Sequence, residues 1–225
     1  MISAILLSGG LGKRMRAEKP KQYLPLHGKP VILHALEALL SFPFWSEIVI
    51  VCEKENQSLF DLYQNRVNLR FALPGKERQD SVLSGLNAFS SKEPTWVCIH
   101  DGARPLLLEK DLLAVIAEGK KTGAAALAVP VKMTLKEVDN SMIVKKTLDR
   151  SCLWEIQTPQ VLNYTLLKQG HQKALMEHFI TTDDVSLVEA LGHAVHLVSG
   201  SDSNLKITTS IDLLLAEILL KRLHG

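Results

Sequence analysis

The chain has 225 residues, 46% hydrophobic and 22% charged, enough to bury one sizeable core and without the bias of a disordered or fibrous protein. A formal charge of +2 is too small to act as a broad footprint for nucleic acid, so anion binding must come from local clusters of Lys and Arg. Cys52, Cys98 and Cys152 are odd in number and widely spaced, which excludes a disulfide framework or zinc site; the first apolar run is too short for a signal peptide, and no stretch nears the roughly 20 apolar residues of a membrane span, so a cytoplasmic protein with no membrane contact is expected.

In chain order, strands are predicted at residues 2–7, 47–52, 69–73, 95–100, 124–131 and 194–198, with helices at 30–41, 56–64, 79–89 and 109–122. The alternation of short β-branched runs with helical periods predicts an α/β fold: a single domain over residues 1–225, with a mainly parallel twisted sheet and helices on both faces. Residues 132–149 break the rhythm with two alternating segments around Asp139-Asn140-Ser141, which predicts a β-hairpin arm at about 132–150. Such an arm packs more readily on a partner chain than it stands alone in water, although an ordinary surface hairpin fits the pattern as well. A last helix at 211–223 sets Ile211, Leu214, Leu215, Ile218 and Leu219 on one stripe, expected to be core packing, behind a capping box of Thr209 and Asp212.

The chemistry concentrates after the first strand, in Ser8-Gly9-Gly10-Leu11-Gly12-Lys13-Arg14-Met15 followed by Arg16, Lys19 and Lys21. Glycines let backbone N–H groups approach a phosphate, and the cations neutralise it. A P-loop would need Gly where Leu7 stands and Ser or Thr where Arg14 stands; a dinucleotide fingerprint would need Gly where Met15 stands. A plain structural turn explains the glycines but not the charge, so a triphosphate is the expected ligand. Lys21 is held between Pro20 and Pro25. Asp101 follows the predicted strand at 95–100, at the carboxyl edge where open α/β sheets bind ligands, and suits Mg²⁺ shared with phosphate oxygens; a turn or capping role is the alternative. Arg78, Asp80 and Ser81 open a helix, where a base or ribose could be read, or where they simply cap it.

Together the segments S-G-G-L-G-K-R-M, P-K-Q-Y-L, G-K-E-R-Q-D-S-V, H-D-G-A-R-P, T-L-D-R-S-C-L-W, Q-T-P-Q and N-L-K-I-T, in order over nearly the whole chain, resemble the 2-C-methyl-D-erythritol 4-phosphate cytidylyltransferases. The resemblance implies a Rossmann-like nucleotidyltransferase that joins CTP to methylerythritol 4-phosphate with release of pyrophosphate, in the non-mevalonate isoprenoid pathway, as a homodimer formed through the arm. It implies that Gly10, Gly12, Lys13, Arg14 and Lys21 hold the triphosphate, with Arg14, Lys21 and Lys206 as catalytic cations. Asp80 and Ser81 would lie at the cytosine and ribose end, and Asp101 would bind Mg²⁺. Arg104 and Thr158 would meet the sugar phosphate, with Thr134 and Arg150 reaching it from the arm of a second copy. Met133 replaces the Asp that usually precedes the threonine placed at Thr134, and Ser8-Gly9 replaces Ala-Ala, which should add backbone freedom.

Two rivals follow from the same residues. A ribitol 5-phosphate cytidylyltransferase shares the N-terminal loop and P-K-Q segment, but Thr134-Leu135-Lys136 and Asp149-Arg150-Ser151 match the methylerythritol enzymes better. A non-catalytic nucleotide-binding protein of the same fold would have little reason to keep Arg14, Lys21, Asp101 and Lys206 together.

Overall fold

The computed structural model describes residues 1–10, 20–90 and 93–224. The elements in chain order are β1 (Ile2–Leu7), β2 (Pro25–Leu26), β3 (Lys29–Pro30), α1 (Val31–Leu39), β4 (Ile48–Val51), β5 (Leu69–Ala72), α2 (Arg78–Asn87), β6 (Trp96–Asp101), α3 (Glu109–Thr122) and β7 (Ala124–Pro130). Then come β8 (Lys136–Val138), β9 (Val144–Thr147), β10 (Trp154–Asn163), α4 (Tyr164–Glu177), α5 (Val185–Glu189), β11 (His196–Ser199) and α6 (Ser210–His224). Seven strands form one sheet in the order β11-β7-β10-β6-β1-β4-β5.

Both faces of this sheet are apolar because successive strand residues point to opposite sides and both sides are covered by helices. On one face Ala4 and Leu6 of β1, Ile48 and Ile50 of β4 and Cys98 of β6 meet Ile32 and Leu36 of α1 and Leu112 and Val115 of α3. On the other, Ile5, Val49, Val51, Val97 and Ile99 meet Val82 and Leu86 of α2, Leu167 of α4 and Leu187 of α5. A near-continuous apolar run such as I-S-A-I-L-L is what a strand buried on both sides requires.

The strand pairs β1–β4, β1–β6, β4–β5 and β7–β11 are parallel, as the alternation predicts. The sheet is nonetheless mixed, since β10 runs antiparallel between β6 and β7. The sequence pattern missed β10 because Glu155, Gln157, Thr158, Pro159 and Gln160 interrupt its apolar residues, and a proline argues against a central strand. The register shifts between Ile156 and Gln160, so Pro159 sits where no regular ladder bond is asked of it. Helices α4 and α5 were missed as well. The helix expected at 56–64 is a 3₁₀ helix over Lys54–Tyr63, whose buried Phe60 and Tyr63 are spaced i, i+3, matching three residues per turn.

The apolar stripe of α6 does not form core. Ile211 is 72% exposed, Leu214 60% and Ile218 54%, and Leu215 is also exposed. The helix docks instead through buried Ala216 and Leu220, with Leu213 and Leu219 beside them, against Leu26, Val31, Leu106 and Ile207. Residues 211–220 are apolar on nearly every side, so periodicity alone could not choose the docked face. The capping box forms as expected: Asp212 Oδ2 accepts from the Thr209 N–H at 2.7 Å and Thr209 Oγ1 accepts from the Asp212 N–H at 3.3 Å. Strands β8 and β9 pair with each other rather than with the main sheet, and Asp139 Oδ1 closes their turn by accepting from the Ser141 and Ile143 N–H groups.

Candidate functional site

The chain runs from β1 to β4 and β5 on one side, then crosses to β6 on the other side of β1, which makes a switch point between β1 and β6 where their carboxyl ends diverge. A cavity of about 670 Å³ opens there. The loop after β1 contributes Ser8, Gly9 and Gly10; the segment leading into α2 contributes Pro74 to Glu77, and the first turn of α2 contributes Arg78 and Ser81; Asp101 ends β6 and Ala103 follows it; Lys21, Gln22, Glu53 and Lys206 complete the wall.

Asp101 is the electrostatic centre of the cavity. Its carboxylate lies 2.7 Å from Lys206 Nζ, 3.3 Å from Arg78 Nε and 3.8 Å from Arg104 Nε. Burial works against its charge, but Arg78, Lys206 and Arg104 outweigh burial and hold the carboxyl well below the usual carboxylate range. Arg78 is fixed in turn by a two-pronged pair with Asp184, at 2.8 and 2.7 Å, and burial of that guanidinium is outweighed by the carboxylates of Asp184 and Asp101. Gln160 of β10 accepts from the N–H groups of Asp184 and Val185 and so positions the start of α5.

The glycine-rich loop enters the site under a clamp. Gln22, buried beside Lys21, donates from Nε2 to the carbonyls of Ser8 at 2.6 Å and Gly10 at 2.9 Å. Ser8 Oγ donates to the Tyr23 hydroxyl at 2.6 Å. With these carbonyls turned to Gln22, the P-K-Q segment and the loop after β1 are held in one register. Gly9 has a stricter role than added freedom: a Cβ there would meet Pro74 Cβ at 2.2 Å, so the close approach of the two loops requires glycine.

Among the expected site residues, Gly10, Lys21, Ser81, Asp101 and Lys206 line the cavity. Gly12, Lys13 and Arg14 lie outside the described residues, as do Arg16 and Lys19. Ser81 Oγ donates to the Glu77 carbonyl and accepts from the Gly75 N–H. Asp80 is exposed and does not line the cavity; its carboxylate accepts from the Glu77 N–H as half of a capping box. Arg104 is buried behind Asp101 and donates to the Asn204 carbonyl at 2.7 Å. Thr158 is buried, with its hydroxyl between the Asp101 N–H and His100. Burial pushes the His100 imidazole down to about 4, so it is neutral at physiological pH. Thr134 and Arg150 stand exposed on the arm, away from the cavity wall, with Arg150 donating to the Lys132 carbonyl. The sequence reading missed Lys76, Asp184 and Gln160. The helix-opening reading of Arg78, Asp80 and Ser81 did not extend to Lys76, and nothing local linked Arg78 to an acid 106 residues away.

A family model described as IspD, 2-C-methyl-D-erythritol 4-phosphate cytidylyltransferase, matches residues 2–222. The chain belongs to that family. It is 47% identical over 221 residues to the chloroplastic 2-C-methyl-D-erythritol 4-phosphate cytidylyltransferase of Oryza sativa subsp. japonica, covering 97% of this chain and 74% of that one. It is 45% identical to the protein of the same name from Chlamydia muridarum, over 99% of this chain and 97% of the relative. Among solved structures, 4-diphosphocytidyl-2C-methyl-D-erythritol synthase from Anaerococcus prevotii superposes with a TM-score of 0.85 at 30% identity over 98% of each chain. The family's cytidylyltransferase from Francisella tularensis superposes at 0.83 with 29% identity, covering 96% of this chain and 98% of that one. The α/β fold expected from the sequence and the family expected from its motifs therefore agree with one another.

Proposed function

We propose that this chain transfers CMP from CTP to 2-C-methyl-D-erythritol 4-phosphate and releases pyrophosphate, a reaction in keeping with the name 2-C-methyl-D-erythritol 4-phosphate cytidylyltransferase that its relatives carry. The observation that carries this reading is Asp101, held ionised by three cations at the switch point and sharing its cavity with Ser8, Gly9 and Gly10. The described wall is close to neutral, with Lys21, Lys76, Arg78 and Lys206 against Glu53, Glu77 and Asp101. A triphosphate needs more positive charge than that. Lys13, Arg14, Arg16 and Lys19, next along the loop, are suited to supply it together with Mg²⁺.

Mg²⁺ suits this donor set. Among the described residues no group of three or more His, Cys, Asp or Glu side chains could cage a metal, whereas Mg²⁺ commonly takes one or two carboxylates plus phosphate oxygens and water. Of the cavity's carboxylates, Asp101 is the one buried at the switch point and held deprotonated by its cations. When bound, the ion would neutralise phosphate charge and orient the triphosphate.

The nucleophile is the acceptor's own phosphate, mostly dianionic at neutral pH because its second pKa is about 6, so no protein base is required. Its oxygen forms a bond to the α-phosphorus of CTP as the bond to the β-phosphate oxygen breaks, and pyrophosphate leaves. The work of the protein is alignment and charge stabilisation. Gly10 and Gly12 bring backbone N–H groups to the phosphates beside Lys13, and Arg14 and Lys21 stabilise charge on the α-phosphate and leaving group. Lys206, already beside Asp101, serves the same region. Ser81 lies toward cytosine and ribose, while Asp80 serves the nucleotide only by capping the helix that carries Ser81. Arg104 and Thr158 lie toward the acceptor, completed by Thr134 and Arg150 from the arm of a second copy. Exposure of Met133, Met142, Ile143 and Val144 on the arm supports that homodimer, since an isolated two-stranded hairpin gains little by presenting them to water. No helix among the described residues is long and apolar enough to cross a membrane, and the three cysteines are free, which supports a cytoplasmic enzyme.

Incubation with CTP, Mg²⁺ and each polyol phosphate tests the reading. Pyrophosphate release with methylerythritol 4-phosphate is expected. Release only with ribitol 5-phosphate would reassign the acceptor, and CTP binding without any release would reduce the chain to a nucleotide-binding protein.

A further inference from the structure

Behind Asp101 runs a buried polar chain whose central histidine has had no part in the reaction so far. His100, the residue before Asp101 on β6, is fully buried. Its Nδ1 lies 3.0 Å from Thr158 Oγ1 on β10, and its Nε2 lies 3.1 Å from the carbonyl oxygen of Arg104. The donors follow from what each partner can do. A backbone carbonyl only accepts, so Nε2 carries the proton. In the neutral ring Nδ1 is then an acceptor, and the Thr158 hydroxyl donates to it. The same hydroxyl oxygen accepts from the Asp101 N–H at 3.0 Å. The chain closes because the Arg104 N–H donates to the Asp101 carbonyl at 3.0 Å. Every polar atom of the imidazole is therefore used, and the ring ties the Asp101–Arg104 turn to the antiparallel strand beside it.

We propose that His100 is a positioning residue for nucleotidyl transfer, acting through Thr158 and the Asp101–Arg104 turn to hold the Asp101 carboxylate at the cavity floor. The proposal rests on Asp101 being the acid that meets the metal-bound triphosphate. It also narrows the part played by Thr158. That hydroxyl spends its proton on His100 and one lone pair on the backbone of residue 101, so it has one lone pair left for a substrate hydroxyl.

Three measurements on the full chain test this. Nitrogen-15 NMR of histidine-labelled protein should show His100 protonated at Nε2 and bare at Nδ1; the opposite tautomer would overturn the proposal without any substitution. Mn²⁺ binding in the presence of CTP and absence of acceptor, followed by electron paramagnetic resonance, should weaken about tenfold in His100→Leu, the combined effect expected for two lost hydrogen bonds. His100→Asn, which can still accept near Nδ1, and His100→Gln, which can still donate near Nε2, should fall between wild type and His100→Leu. A ring that merely fills space would lower stability or the fraction of competent sites and leave the Mn²⁺ affinity of those sites unchanged, and that result in folded variants would refute the positioning role. If His100→Leu does not fold, the Asn and Gln variants decide the matter by the same readout. Adding His100→Leu to Thr158→Val should cause less further loss than in the wild type, because only the Nε2 contact to the Arg104 carbonyl remains to be lost, and adding His100→Gln, which keeps a donor there, should cause little; fully additive losses would break the chain as drawn. Failure of the wild type to release pyrophosphate would remove the reaction, while the tautomer and the Mn²⁺ ratios would still report on His100 itself.

Discussion

Asp184→Asn is the most informative single perturbation of the site. Asp184 is 1% exposed and grips the Arg78 guanidinium with both oxygens. An amide keeps the shape but turns one acceptor into a donor that faces a donor, leaving a largely buried cation with half its partner. Breaking a buried ion pair in this way costs about 3–5 kcal/mol. The lower end applies here, since Arg78 keeps Asp101 at 3.3 Å and its side chain is 24% exposed toward the cavity. About 3 kcal/mol in a chain of this size corresponds to a drop in Tm of about 6–12 °C. Arg78 should also lean further onto Asp101 and compete for its charge, raising KM for CTP more than it lowers kcat. Thermal melts with and without CTP, together with initial rates, measure both effects. The double variant Arg78→Met, Asp184→Leu should recover stability without recovering activity, because it removes the stranded charge but not the need for it. A Tm within about 2 °C of wild type and an unchanged KM in Asp184→Asn would refute the assigned role of the pair.

Lys21→Ala under saturating CTP should lower kcat by about 10²–10³-fold, as loss of a charge donor to the transition state does; a rise in KM alone would make Lys21 a binding residue only. Arg150→Ala should raise KM for the sugar phosphate and leave CTP binding intact, and unchanged acceptor kinetics would remove the arm from the site. Gly9→Ala should push the loop off Pro74, given the 2.2 Å approach, and raise KM for CTP; Pro74→Gly in the same chain should restore it, and wild-type kinetics in Gly9→Ala alone would contradict the close approach. His171 is buried on α4, its Nε2 has no hydrogen-bond partner among the described residues, and burial, opposed by nearby Asp80, pushes it down to about 4. Below about pH 6.5 the unfolded chain takes up a proton that the folded chain refuses, so stability falls with pH; by pH 5 this residue alone costs about 2 kcal/mol relative to pH 7.5. The stability difference between wild type and His171→Leu in urea should shift by that amount across this range, and a pH-independent difference would show that His171 titrates normally when folded.

The parts of the site legible in the sequence are those whose chemistry is local. The glycines and cations after β1, the acid at the end of β6 and the arm around Asp139 each announce themselves within a dozen residues, because phosphate cradles, strand ends and tight turns are built from neighbouring backbone. The doubly apolar strands likewise declared a sheet covered on both faces. What only tertiary structure decided depends on pairing at a distance. Arg78 acquires Asp184 and Asp101 because α2, α5 and β6 converge on one edge of the sheet, and neither spacing nor composition encodes that meeting. β10 could not be read from its own residues, since its polar stretch is stabilised by what it touches, Gln160 serving α5 and Thr158 serving the turn after β6. The docked face of α6 was undetermined for the opposite reason: a helix apolar on nearly all sides carries no local preference, and the complementary surface of Leu26, Leu106 and Ile207 makes the choice. Residue type and spacing thus specified which groups of this protein could do the chemistry, and strand order specified which of them share a cavity, because hydrogen-bond geometry and charge act over a few ångströms of space regardless of separation along the chain.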